Sequence, residues 1–165
     1  MEIDRVSAQI LRAVLGDEPA PKTKKPHRPG SADHWTPAIL LERGTYLRQM
    51  ARAGSGEASE TLREYSQHRV MLSFRSRDGE VEVHEKFADL FVVLSGAATL
   101  VTGGTVEGAR TVAAGEIRGD SIVGGHAQEL RQGELIHVPA GTPHQFLVSG
   151  DKSITSLVVK IQEAQ

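Results

Sequence analysis

Residues 133–144 read Gly-Glu-Leu-Ile-His-Val-Pro-Ala-Gly-Thr-Pro-His, and this run limits the fold more than any other stretch of the chain. It sets a short strand, Glu134 to Val138, against a rigid turn and delivers His144 at the head of the next strand. Pro139 and Pro143 fix φ, and Gly141 permits a backbone angle that other residues resist. A turn this stiff brings one imidazole to a set point. Metal ligation needs such placement, and so does a tight structural hairpin.

From Arg69 onwards the same kind of local pattern repeats. Val70–Phe74, Val81–His84, Leu90–Leu94, Ala97–Thr102, Thr111–Ala113, Gln128–Arg131, Gln145–Val148 and Ile154–Ile161 are short β-prone runs. Asp78-Gly79, Ser95-Gly96 and Gly103-Gly104 break them. Eight or more short strands at this spacing predict a sandwich or a closed barrel, and 17 glycines supply the turns. The first third reads differently. Asp4 caps a predicted helix carrying Val6, Ile10, Leu11, Val14 and Leu15 and ending near Gly16. Residues 19–37 are a proline-rich basic linker without a core face. A second helix is predicted from Pro37 to Ala53 with Ile39, Leu40, Tyr46, Leu47 and Met50 on one side, followed by a helical turn over Ser59 to Tyr65. The expected organisation is a helical extension over residues 1–66 and a β-barrel over residues 67–165.

Composition excludes several function classes. The net charge of −2 gives no general attraction to nucleic acid or anionic membrane. The basic stretch Lys22, Lys24, Lys25, His27 and Arg28 lies between prolines and reads as solvated linker. The absence of cysteine removes disulfides and thiolate chemistry. No apolar stretch approaches the ~18 residues of a membrane span, and the first fifteen residues lack the apolar core of a secretion signal. A cytoplasmic protein without nucleic-acid or membrane partners is expected.

Strand parity adds a further inference. In Val81-Glu82-Val83-His84 the polar pair shares one face and the valines the other. Leu90-Phe91-Val92-Val93-Leu94 is apolar on both faces, so both sides of that strand need a cover, from the N-terminal helices or a second subunit. A homodimer is expected on that ground.

With these segments in place the chain resembles the cupin superfamily. The second motif of that family (Gly, five residues, Pro, any residue, Gly, two residues, His) is matched without a gap by Gly133, Pro139, Gly141 and His144, while Val148 replaces a frequent asparagine. Its first motif, anchored on Gly96, places Asp89 at the glutamate position, His84 at the second histidine and Glu82 at the first; Ser76 stands where a glycine leads. A rival register would use His84 and Lys86 but needs a shorter spacer. The resemblance spans roughly residues 69–161 and implies a double-stranded β-helix, or jelly-roll barrel, preceded by N-terminal helices.

The gapless register also makes chemical sense. Glu82 and His84 lie two apart on a strand and project from one face, about 6.6 Å apart at Cα. With His144 and Asp89 they form a candidate metal site of two imidazoles and one or two carboxylates, suited to Fe, Mn, Ni, Zn or Cu as divalent ions. Each residue has a plainer reading: a turn histidine, a solvated carboxylate, a loop-capping aspartate. Asp89, one methylene shorter than glutamate, could instead orient a histidine. Lys86, Phe91, Val93, His126 and Phe146 are candidate walls of a substrate pocket, against the alternatives of surface lysine, loop histidine and ordinary core. His137 reads as a packed, hydrogen-bonded histidine. Two functions stand open: a metal-dependent enzyme of oxygenase or isomerase type acting on a small organic molecule, with Glu82 or Asp89 as base, and a non-catalytic small-molecule-binding or sensory barrel.

Overall fold

The computed structural model describes Gly30 and residues 32–163. The first predicted helix and most of the linker lie outside these residues. The described part has one helix, α1 (Pro37–Arg52), and twelve strands. These are β1 (Glu57–Glu64), β2 (His68–Arg75), β3 (Val81–His84), β4 (Phe87–Thr102), β5 (Thr105–Glu107), β6 (Arg110–Ala113), β7 (Glu116–Gly119), β8 (Ser121–Val123), β9 (His126–Arg131), β10 (Leu135–Val138), β11 (His144–Leu147) and β12 (Ile154–Gln162).

All strand pairs are antiparallel, and the main sheet runs β1-β2-β12-β4-β11-β3-β7-β6. Strand β4 makes the sheet curl. Its first half pairs with β12 and β10, and its second half with β11 and β9. The Ser95-Gly96 pair, expected to end a strand, instead sits within β4 at a bulge, where the register with β12 shifts between Thr155 and Ser156. Gly96 has φ +82°, and a Cβ there would lie 1.9 Å from the Ser153 carbonyl oxygen, so only glycine lets the strand bend without breaking.

The curled sheet has two faces and two cores. Inside the curl, Phe91, Val93, Leu100, Leu130, Phe146 and Val158 pack together. Outside it, Leu62, Leu72 and Phe74 pack against Leu47 and Ala51 of α1. Thr36 caps the helix by accepting from the Ile39 N–H, and Pro37 occupies the first turn, where no donor is missed. Gly44 admits β12 closely, since a Cβ there would meet the Thr155 methyl at 3.0 Å. The apolar strand over residues 90–94 is thus covered by the barrel interior at Phe91 and Val93 and by the helix layer at Leu94.

Four local expectations change. Where a helical turn is expected over Ser59 to Tyr65, Ser59 to Glu64 belongs to strand β1, because Ala58, Glu60 and Leu62 alternate towards α1. Glu60 pairs there with Arg43 of the helix. Ile39 is 40% exposed instead of sharing the helix's packed side. The end of the linker does have a core face: Trp35 packs on the helix–sheet core, and Asp33 pairs with Arg63. His137 is exposed, not packed, since β10 pairs only with β4 and turns Leu135 and His137 outward.

Candidate metal centre

The rigid turn presents His144 as expected. Gly141, at φ +75°, donates its N–H to the His84 carbonyl at 2.8 Å, and Gly103 donates to the Pro143 carbonyl at 2.9 Å. The turn is therefore fastened to the end of β3, and His144 pairs across the sheet with Glu82. Two residues that lie 62 positions apart become neighbours through this backbone pairing.

Both imidazoles are 3% exposed and aim their Nε2 atoms at one point. His84 Nδ1 lies 2.6 Å from Glu116 Oε2, and His144 Nδ1 lies 3.1 Å from the Thr142 carbonyl oxygen. Each acceptor takes the Nδ1 proton, so a metal ion that displaces any Nε2 proton meets a lone pair directed inward. His84 Nε2 faces Glu82 Oε2 and Asp89 Oδ2 at 3.3 Å each, and His144 Nε2 faces Asp89 Oδ2 at 3.5 Å. Ligand atoms of Glu82, His84 and His144 all lie within 4.8 Å of one another. His84 Nε2 is buried without an aligned hydrogen-bond partner among the described residues. A buried nitrogen with no aligned hydrogen bond, beside carboxylates and a second imidazole, fits a metal ion.

Charge in the surroundings is arranged in pairs. Arg75 holds Glu82 Oε1 at 2.8 Å and reaches Glu57 with its other nitrogen. Arg118 lies 3.6 Å from Glu82 Oε2 and 3.4 Å from Glu116 Oε2. The buried Lys160 lies 3.1 Å and 3.2 Å from the two oxygens of Asp89. Burial favours the neutral Glu82 carboxyl, but His84, Arg75, His144 and Arg118 outweigh it and bring its pKa down to about 2. Burial likewise opposes ionisation of Asp89, yet His144, His84 and Lys160 hold it well below the usual carboxylate range. Burial disfavours the His84 imidazolium, while Asp89 and Glu82 raise its pKa to about 9.

Beside these groups lies a cavity of about 140 Å³, walled by Met71, Ser73, Arg75, Phe91, Phe146 and Lys160 among others. Phe91 stands edge-on to both His144 and Phe146, with ring centroids 6.2 Å and 5.1 Å apart. The gapless register thus brings Glu82, His84, Asp89 and His144 together and puts Phe91 and Phe146 on the cavity wall. Val93 is buried in the barrel core, away from that wall. Lys86 is exposed because β3 ends at His84 and the turn breaks the parity it would share with it. His126 is exposed at the start of β9, also away from the cavity.

Sequence reasoning missed Glu116, Arg118, Arg75 and Lys160. Glu116 and Arg118 sit on β7, a four-residue strand whose Glu-Ile-Arg-Gly sequence carries no apolar alternation. Only their pairing opposite His84 and Glu82 gives them a role. Lys160 carried one usable signal, a lone charge in an otherwise uncharged strand.

Comparison with known proteins agrees with this architecture. Residues 105–160 match the family described as Cupin domain. TT1209 from Thermus thermophilus is similar in structure at 17% identity, with 75% of this chain and 95% of that chain covered and a TM-score of 0.53. A Klebsiella pneumoniae protein with a double-stranded β-helix domain matches at 16% identity over 66% of this chain and 79% of its own, with a TM-score of 0.50. The polyketide cyclase RemF from Streptomyces resistomycificus is 20% identical over 66% of each chain, with a TM-score of 0.48. No curated protein sequence matches. Among the described residues, no helix is long and apolar enough to cross a membrane.

Proposed function

We propose that this chain, whose residues 105–160 match the family described as Cupin domain, is a metal-dependent protein that binds a small organic molecule beside a divalent transition ion. Glu82, His84 and His144 would hold the ion, and Asp89 would set the field around both imidazoles. One observation carries this reading: two buried Nε2 atoms converge with a carboxylate while both Nδ1 atoms are engaged elsewhere. Two imidazoles with carboxylate oxygen suit Fe, Mn, Ni, Zn or Cu, and cellular supply selects among them.

When bound, the ion would supply Lewis acidity or a redox centre at the cavity wall, the chemistry used by oxygenases and isomerases. The chain's own contributions are placement and exclusion of water. Arg75 fixes Glu82, Glu116 fixes His84, and Phe91 and Phe146 keep the cavity side of His144 apolar. Proton abstraction by Glu82 or Asp89 is disfavoured. Both are held ionised by cations at low pKa, and so weak a base removes few protons near neutrality. That pairing supports the second reading, a binding or sensory barrel without turnover.

Elemental analysis after anaerobic loading with each ion and desalting tests the metal reading. About one equivalent of one ion should be retained by the native protein and none by His144→Ala. Equal retention by both, or by neither, would remove the site.

A further inference from the structure

The cavity wall opposite the metal-ligand cluster has an ordered chemistry. Ser59 of β1 pairs with Ser73 of β2, and Ser73 pairs with Ser156 of β12, so three hydroxyls lie side by side across three strands. All three line the same cavity. Ser59 is exposed, Ser73 half-buried and Ser156 only 2% exposed, so the row leads from an open mouth at β1 into the interior. No other described residue takes up these hydroxyls, so all three can donate to a ligand that enters the cavity.

The rows on either side differ. One side holds Arg75, paired in register with Glu57 and Ile154. The other holds Met71, Val158 and Phe91, likewise in register, with Phe146 packed on Phe91. Successive rows lie about 7 Å apart along the strands. A ligand spanning them meets a guanidinium, then hydroxyls, then an apolar floor. A second cavity of about 260 Å³ shares Ser59, Ser73 and Arg75 and continues outwards past Ser55 and Glu57, which marks the entrance.

We propose that Arg75 and the row Ser59, Ser73 and Ser156 receive the carboxylate of a small organic acid whose apolar body rests on Met71, Val158, Phe91 and Phe146. This rests on the metal reading for its charge balance. Glu82 is matched by Arg75 and Asp89 by Lys160, so a bound divalent ion leaves positive charge that an anionic ligand covers. Arg75 can turn to the ligand at small cost, because the Glu57 it releases is 53% exposed and such solvent-exposed pairs are weak. The cavity volume, about 140 Å³, is close to the ~150 Å³ that accommodates a benzene ring. A monocarboxylic acid with one ring or a branched chain fits it, and a polymer does not.

Calorimetric titration of zinc-loaded and metal-free protein with benzoate, and with benzamide as its neutral counterpart, tests the assignment while elemental analysis follows zinc. Benzoate should bind the zinc-loaded protein at least about tenfold more tightly than benzamide, and Ser73→Ala and Ser156→Ala should each weaken it about tenfold without releasing zinc. Equal binding of benzamide, benzoate binding untouched by both serine variants, or no benzoate binding overturns the acid subsite, and retained zinc shows that the metal reading survives it. If the native protein retains none of the five ions, zinc included, the metal reading falls. The metal-free titration then decides: serine-dependent benzoate binding upholds the subsite, and its absence removes it.

Discussion

The two histidines of the centre are equally buried and aim at the same point, yet they are held in opposite ways. His144 stands on a turn of prolines and glycine, and its Nδ1 meets a backbone carbonyl at Thr142. His84 stands on a four-residue strand among three carboxylates, those of Glu82, Asp89 and Glu116, which are themselves held by Arg75, Arg118 and Lys160. One imidazole is placed by backbone geometry and the other by charge. A backbone-built position persists whatever side chains surround it. A charge-built position depends on residues from β2, β4, β7 and β12 and responds to pH.

The comparison breaks first if the two imidazoles are unequal as ligands. His144→Ala and His84→Ala should each lower zinc affinity by more than about 100-fold, beyond the 10–100-fold that the loss of an orienting partner costs. Competition against a chelator of known affinity measures it. A large loss in one variant and none in the other would leave a single anchored histidine and no shared centre. Next in size is Glu116→Gln, which keeps the shape and removes the charge beside His84 Nδ1. Zinc affinity should fall about 10–100-fold with the fold intact. An unchanged affinity would mean that the carboxylate does not orient the ring.

The charge-built side should also show itself in pH dependence. The folded pKa of His84, about 9, lies above its ordinary value of 6.5. Protonated His84 therefore stabilises the metal-free protein fully below about pH 6.5, and the contribution is lost as pH rises through about 9. Glu82 runs the other way: its folded value of about 2 lies below 4.5, so its contribution is present above about pH 4.5 and lost as pH falls through 2. Urea unfolding with chelator present should show stability declining by about 1–3 kcal/mol between pH 6.5 and 9.5. His84→Gln should flatten that decline. Zinc competes with the same proton, so its apparent affinity should rise with pH over this window. A decline that persists in His84→Gln would assign the titration to another group.

The same contrast explains what could be read from the sequence. The backbone-built half is local: Gly133, Pro139, Gly141 and His144 lie within twelve residues, and each acts through its own φ or its missing N–H. The matched family segment, residues 105–160, contains this half and excludes β3. The grouping of Glu82, His84 and Asp89 came from the resemblance to the family's first motif, counted back from Gly96, and the structure brings the three side chains together. Their partners were not legible, since Arg75, Glu116 and Lys160 reach the centre only through sheet pairings that no local pattern encodes. Strand β1 was misread for a related reason: Glu-Ala-Ser-Glu-Thr-Leu-Arg-Glu suits a helix by propensity, and pairing with β2 and packing under α1 overrule it.

The smallest effect is the sharpest test of the backbone-built side. Thr142 supplies its carbonyl, not its side chain, to His144 Nδ1, at 3.1 Å. Thr142→Ala keeps that carbonyl between Gly141 and Pro143, and the turn stays fastened to β3 through the Gly141 N–H. Zinc affinity should then change by less than about twofold, the scale of a surface substitution, although Thr142 is as near to His144 in the hydrogen-bond network as Glu116 is to His84. Measured beside Glu116→Gln under one buffer, the pair isolates the difference between an acceptor made of main chain and one made of a side chain. A loss of tenfold or more in Thr142→Ala would show that the turn needs its side chains to hold its shape, and the division between the backbone-built and charge-built sides would then be one of degree.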